Sequence, residues 1–212
     1  MPQLLAGAGL TIRLSAAAMV AGLAVGVVCA FARAAGPRPL RWLVIGYVEA
    51  IRNTPFLVQL FIIYFSLPAI GLRFEANQAA LVGMIVNLGA YATEIVRAGV
   101  DSVPRGQIEA GRSLGLSTFH VFRFVVIQPA LKAVFPALAS QFILLMLGSS
   151  IVAAISAAEL TGITNTLQST TFRAFEFYFV ATGIYLAMAL GFRAVLGATY
   201  WLVFERGRAG WR

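Results

Sequence analysis

Of the 212 residues 60% are apolar and 11% charged, with a mean hydropathy of +0.86; soluble domains run nearer ~45–50% apolar and ~25% charged, so a soluble globular protein is excluded. One Cys (Cys29) rules out an internal disulfide and a Cys-rich metal site, and one His (His120) rules out a multi-His site. Bases outnumber acids 16 to 8, which in a chain this apolar marks cytoplasmic loops rather than a nucleic-acid surface.

A bilayer is crossed by roughly 20 apolar residues, so the chain has room for five spans in a single domain over residues 1–212. Ile12–Phe31 is the first, with Gly22 and Gly26 spaced for close helix contact. The alternative, a cleaved signal peptide ending near Ala32-Arg33-Ala34, lacks a positive segment before Arg13 and is too long. A second span, Ile45–Ile70, is interrupted at Pro55, which removes a backbone donor and kinks the helix. The third is Gln78–Val100, the fourth Val134–Ala157 and the fifth Phe177–Ala198. Between the third and fourth lies Asp101–Lys132, with both charges and structure-breaking residues.

Charge placement orients the bundle. Thirteen bases fall on one side: Arg33, Arg38, Arg41, Arg52, Arg97, Arg105, Arg112, Arg123, Lys132, Arg193, Arg206, Arg208 and Arg212. Only Arg13, Arg73 and Arg173 fall on the other. The positive side is the cytoplasmic one, so the N-terminus is expected outside and the C-terminus inside. Arg193 snorkels from the last span, and Tyr200 and Trp201 suit an interfacial belt.

Enzyme signatures are absent: there is no Gly-x-x-x-x-Gly-Lys loop, no Ser/His/Asp arrangement that one His could complete, and no metal-ligand spacing. Neither catalytic nor metal-binding residues are expected. Two places carry unusual chemistry. In the Asp101–Lys132 segment, Pro104 suits a first helical turn, and Arg105–Leu114 forms a short helix carrying Glu109, Ala110 and Gly111. Gly115 supplies the left-handed residue that ends it. Ser117 caps a second short helix running through Phe119, Phe122 and Val126 to Pro129. Such a pair fits a groove in another protein, or lies at the membrane surface as an amphipathic helix.

The second place is polarity inside the spans. Asn87, Tyr91 and Glu94 sit at i, i+4 and i+7, on one face of the third span. A carboxylate there costs on the order of 2.5–3.5 kcal/mol on insertion scales and usually faces a pathway; the structural alternative pairs Glu94 with Arg97 at i+3. In the fourth span Gln141, Gly148 and Glu159 are expected on a shared face, with Ser149 adjacent. Ser149 and Ser150, and Gln59 in the second span, read more simply as interhelical hydrogen-bonders.

The motif Glu109-Ala110-Gly111-x-x-x-Gly115, followed by an apolar stretch and Pro129, resembles the Glu-Ala-Ala loop of permease subunits in bacterial ATP-binding-cassette importers. Tyr47-Val48-Glu49 with Arg52-Asn53-Thr54-Pro55 is similar to the histidine/glutamine/arginine type of polar amino-acid permease. So are Asn87-x-Gly89-Ala90-Tyr91-x-x-Glu94-Ile95-x-Arg97-Ala98-Gly99, Ser102-Val103-Pro104-Arg105-Gly106-Gln107 and Glu159-Leu160-Thr161. The similarity runs from about Leu10 to Glu205.

The resemblance implies an all-α, multi-pass protein of the bacterial inner membrane, five helices with lipid around them, working as a homo- or heterodimer with a second permease chain. It implies a cytoplasmic ATP-binding subunit dimer, which would bind the ATP and Mg, and a periplasmic solute-binding protein; this chain would hold no cofactor and hydrolyse nothing. Glu109, Ala110, Gly111, Leu114 and Gly115 would couple to the ATPase, and Asn87, Tyr91, Glu94, Arg97, Gly148 and Ser149 would line the substrate pathway. Four departures stand out: Gly111 where Ala is usual, Pro129 one position late, His120 where Gln commonly follows Ser117 as its cap partner, and Leu147-Gly148 where many relatives carry Lys and then Asp or Asn. With no carboxylate at Gly148, a cargo of neutral or acidic amino acids is expected over Lys or Arg. The alternatives are an importer for another small polar solute, or a self-sufficient channel or secondary transporter in which Glu94 is an ion site.

Overall fold

The structure is a computed structural model that describes residues 1–206; Arg208 and Arg212, two of the thirteen bases on the positive side, lie outside the described residues. It is all-helical among those residues: α1 Pro2–Ala35, α2 Arg38–Arg52, α3 Phe56–Phe61, α4 Ala76–Asp101, α5 Arg105–Ser113, α6 Thr118–His120, α7 Ile127–Gly148, α8 Leu160–Thr171 and α9 Ala174–Phe204. By length and composition four helical stretches could cross a membrane, or five if α2 and Phe56–Ile70 together count as one bent span.

The α1–α4 pair is the spine. Gly22 and Gly26 of α1 face Leu88 and Ala92 of α4, and a Cβ at Gly22 would come within 2.9 Å of Leu88. Small residues thus let two backbones approach at van der Waals distance, where packing rather than the hydrophobic effect holds membrane helices. Around this seam Leu14, Ala18, Leu60, Ala79, Met84, Leu88, Met146 and Ile155 form the main core. The far end of α1 closes against α8 and α9 through Leu4, Leu160 and Ala181. At the opposite end Val103, Val126 and Ala130 join the α5–α6 region to α7.

The expected kink at Pro55 is a bend of 110° between α2 and Phe56–Ile70. Gln59 makes it tolerable: its Nε2 donates to Ile51 O at 2.7 Å and Thr54 O at 3.0 Å, satisfying carbonyls left without helical partners. The stretch beyond α3 tightens from a π turn (Ile62–Ser66) to a 3₁₀ turn (Leu67–Ile70).

Two expectations are corrected. The second short helix expected in Asp101–Lys132 does not stop at Pro129. Helix runs from Thr118 to Ile155, through Pro129 and Pro136. A π turn at Val121–Val126 widens the backbone just before Pro129, where the proline ring would otherwise strike the carbonyl four residues earlier. Nor do Gln141, Gly148 and Glu159 share a helix face. The α-helix ends at Gly148, a 3₁₀ turn covers Ser149–Ile155, and Ser156 takes a left-handed conformation (φ 65°). Glu159 then caps α8, a helix of 12 residues absent from the sequence expectation, its carboxylate accepting from Gly162 N at 2.8 Å.

Candidate functional site

Two sites grow out of this frame, one at each level of α4. Towards the Arg-rich end, α5 and α6 meet in a turn. The Gly115 N–H donates to Arg112 O (2.9 Å) and the Leu116 N–H to Gly111 O (3.2 Å). That is the double bond of a Schellman cap, and it demands the left-handed backbone that Gly115 adopts at φ 78°. Ser117 then starts α6, its Oγ accepting from the His120 N–H and lying 2.8 Å from His120 Nδ1.

Gly111 is buried under this turn, and a Cβ there would lie 3.3 Å from Val121 and 3.4 Å from Val125. The departure from Ala thus lets α5 settle closer to the π turn. Glu109, Ala110 and Leu114 all face outward, Leu114 at 81% exposure. Phe119 is exposed beside it. A helix pair held by its own caps therefore presents apolar side chains that nothing among the described residues covers.

The second site is the polar face of α4. Asn87 Nδ2 donates to Gln59 Oε1 at 3.0 Å, tying α4 to the bend capped by Gln59. The Tyr91 ring lies under the Arg52 guanidinium, 5.4 Å from its centroid. Glu94 takes Arg33 of α1 on Oε1 and Arg97 on Oε2, at 3.1 Å from Nε and 2.9 Å from Nη2. Arg97 extends the chain to Asp101 at 2.6 Å. Glu94 is thus bridged by two guanidinium groups. The pairing at i+3 was legible in the sequence; Arg33, 61 residues away, was not.

A cavity of about 450 Å³ opens beside this network, walled by Arg52, Glu94, Arg97, Ser102, Ala133 and Ala137 among others. Of the six expected pathway residues the structure brings Glu94 and Arg97 into that wall. Asn87 and Tyr91 share their helix face but not the cavity wall. Gly148 has open space where a Cβ would stand, and Ser149 is buried with its Oγ donating to Met146 O at 2.7 Å. Glu159 is fully buried, its Oε2 accepting from Tyr185 OH (2.7 Å) and Thr11 Oγ1 (3.3 Å), so it staples α1, α8 and α9 together. Among the described residues no group of three or more His, Cys, Asp or Glu is placed to hold a metal ion.

Residues 22–203 match the model of the family described as binding-protein-dependent transport system inner membrane component. The chain belongs to that family. The nopaline transport system permease protein NocM of Agrobacterium fabrum is 35% identical, over 95% of this chain and 88% of its own. The glutamine transport system permease protein GlnP of Escherichia coli is 36% identical over 89% and 87%. The L-cystine transport system permease protein TcyB of Bacillus subtilis is 39% identical over 75% and 68%.

A crystal structure of an amino acid ABC transporter with histidines matches with a TM-score of 0.88 at 36% identity, covering 94% of this chain and 93% of that one. The MetNI methionine ABC transporter, in an inward-facing conformation, shares the fold at a TM-score of 0.81 and 20% identity. This chain is therefore a multi-pass inner-membrane permease of a bacterial binding-protein-dependent importer. The ATPase is a separate subunit, and a solute-binding protein is a further partner.

Proposed function

We propose that the chain, as a single transmembrane domain, carries polar amino acids inward, with neutral or acidic cargo preferred over Lys or Arg. The relatives with glutamine, cystine and nopaline in their names support the class of cargo. The charge balance of the cavity wall supports the preference: its charged residues are Arg52, Arg97 and Glu94, and Glu94 is already paired with Arg33 and Arg97. A cation entering such a site is repelled, whereas a carboxylate is attracted. Glu94, with Asn87, Tyr91, Arg97, Gly148 and Ser149, lines the path in this reading, and Glu94 exchanges one guanidinium for the cargo's ammonium.

The topology in this proposal has the N-terminus outside and the end of α9 in the cytoplasm, because Arg33, Arg97, Arg105, Arg112 and Arg123 gather at one end of the bundle. That puts α5 and α6 on the ATPase side. Glu109, Ala110, Gly111, Leu114 and Gly115 then seat in the ATPase, and the single observation that carries this is the self-capped helix pair with Leu114 and Phe119 uncovered. A second permease chain, the same or a different one, completes the pathway in this reading.

The test is ATP hydrolysis by the reconstituted permease–ATPase complex with its binding protein, read across a panel of amino acids. Stimulation strongest with glutamine, glutamate or another neutral or acidic polar amino acid is expected. Strongest stimulation by arginine or lysine would overturn the preference, and none across the panel would overturn the amino-acid reading.

A further inference from the structure

A second cavity, of about 500 Å³, lies between α7 and α9 and shares no wall residue with the one beside Glu94. Phe135, Ala139 and Ile143 of α7 face Arg193, Gly197 and Tyr200 of α9 across it. Those spacings place each set on one face of its helix. Pro136, Ser140, Arg193 and Gly197 are exposed, so the cavity is a groove on the outer surface of the bundle. Both helices belong to stretches able to cross a membrane. The groove therefore lies at membrane depth.

Arg193 is the charge in this groove, and it has no counter-ion. The ion pairs among the described residues engage Arg33, Arg97 and Arg173 instead. Helix α7 carries no acid, and on α9 Glu176 is held by Arg173. Glu205 stands twelve residues beyond Arg193, about 18 Å along a helix. Residues 207–212 contain neither Asp nor Glu. Lys132, also without an ion pair among the described residues, is one turn before Phe135 and Pro136 on the same face of α7. The groove thus carries two positive charges and no negative one. Arg193 lies seven residues from Tyr200, about 10 Å towards the bilayer centre, where ionisable groups are kept for a partner or a pathway. Ser140 Oγ already donates to Pro136 O. The hydroxyls of Tyr47, Tyr178 and Tyr185 have partners, whereas among the described residues that of Tyr200 has none.

We propose that this groove is a site for one anionic phospholipid, its phosphate held by Arg193 and the Tyr200 hydroxyl and its acyl chain lying over Ala139 and Gly197. A guanidinium presents a planar fork of donors that matches two phosphate oxygens. Tyr200 packs with Phe135 and Phe204, ring centroids 5.2–5.9 Å apart, and such an aromatic group sits at the level of the headgroups. Lys132 at the mouth selects a net negative headgroup over a phosphocholine, whose own ammonium it repels. Basic pockets between spanning helices at the positive end of a membrane protein suit that chemistry. The apolar walls select a lipid over a free anion from water. A phosphate alone would leave oxygens unpaired there, whereas an acyl chain fills the remaining space.

The experiment counts, by native mass spectrometry, the phospholipid kept by the purified permease–ATPase complex. The complex is first exposed to equal amounts of phosphatidylglycerol and phosphatidylcholine with matched acyl chains. The unaltered complex should keep phosphatidylglycerol in preference. Arg193→Gln should weaken that preference about ten-fold, the loss of one charge-assisted contact, and Arg193→Lys should restore most of it. Gly197→Leu keeps the charge and fills the groove. Nothing lies within 4 Å of where a Cβ at Gly197 would stand, so the thermal midpoint should hold while bound phosphatidylglycerol is lost. No preference in the unaltered complex, or a preference unchanged by Arg193→Gln or by Gly197→Leu, would overturn the proposal.

Other occupants give other results, each of them contrary. Glycerol 3-phosphate, a water-soluble competitor, should leave the bound lipid in place; displacement would assign Arg193 to a free anion. Separation of the permease pair by Arg193→Gln would assign the groove to a second permease chain. Arg38→Gln removes one charge from α2, which does not line the groove, and should leave the preference intact. An equal loss there would reduce the effect to net charge and remove the site.

Discussion

Helices α4 and α9 are both long, apolar and able to cross a bilayer, yet they stand in opposite relations to the rest of the chain. In α4 ten of 26 residues are buried, whereas in the 31 residues of α9 Ala181 alone is. The difference lies in where the small residues point. On α1, Gly22 and Gly26 bring the α4 backbone into contact. On α9, Gly183, Gly191 and Gly197 have nothing within 4 Å of where a Cβ would stand. A helix that keeps its small residues and its Arg193 at the surface has a face prepared for something beyond this chain, and in the reading above that is lipid and a second permease chain.

The largest effect should come from the same change made in these two settings. A Cβ at Gly26 runs into Ala92, including its backbone carbonyl carbon, and backbone cannot rotate away. Gly26→Val is expected to destabilise the chain by roughly 1–3 kcal/mol or more, seen as a lower thermal midpoint in detergent. Gly191→Val, with open space, should shift the free chain by less than about 0.5 kcal/mol. If Gly191→Val instead weakens only the assembled permease pair, the partner chain covers that face. Equal effects of the two changes in the free chain would contradict the comparison.

A smaller effect is expected at Glu94, where α4 uses its polar face. Glu94→Gln keeps the shape and leaves Arg33 and Arg97 without a shared carboxylate. Uptake by the reconstituted importer should fall ten-fold or more, about 1.4 kcal/mol, while the complex still assembles. Unchanged uptake would mean that Glu94 has no part in the pathway and only joins α1 to α4.

Local rules in the sequence reached far, and their failures have a common cause. The Gly115 turn, the Ser117 cap and the Pro55 bend are decided by neighbours within a few residues, and each is present. The partners of Glu94 and Asn87 are not local: Arg33 and Gln59 come from other helices, and no spacing rule reports them. Pro129 reads as a stop because its local cost is certain; the π turn just before it relieves that cost. Helix α8 did leave a signal. Leu160, Ile163 and Leu167 fall at helical spacing, and they are the residues it packs inward. Glu159 hid it, since a carboxylate beside an apolar run reads as a polar residue within a span rather than as the cap of a new helix.

The most direct test of the central claim, that α5 and α6 transmit ATP hydrolysis to the bundle, is amino-acid-stimulated hydrolysis in a Gly115→Val importer. A β-branched residue at φ 78° is strained by roughly 1–2 kcal/mol and breaks the cap that orients α6. The chain should still insert, and either assemble poorly with the ATPase or lose its stimulation by loaded binding protein. Normal stimulated hydrolysis by the variant would show that this turn is not the coupling element.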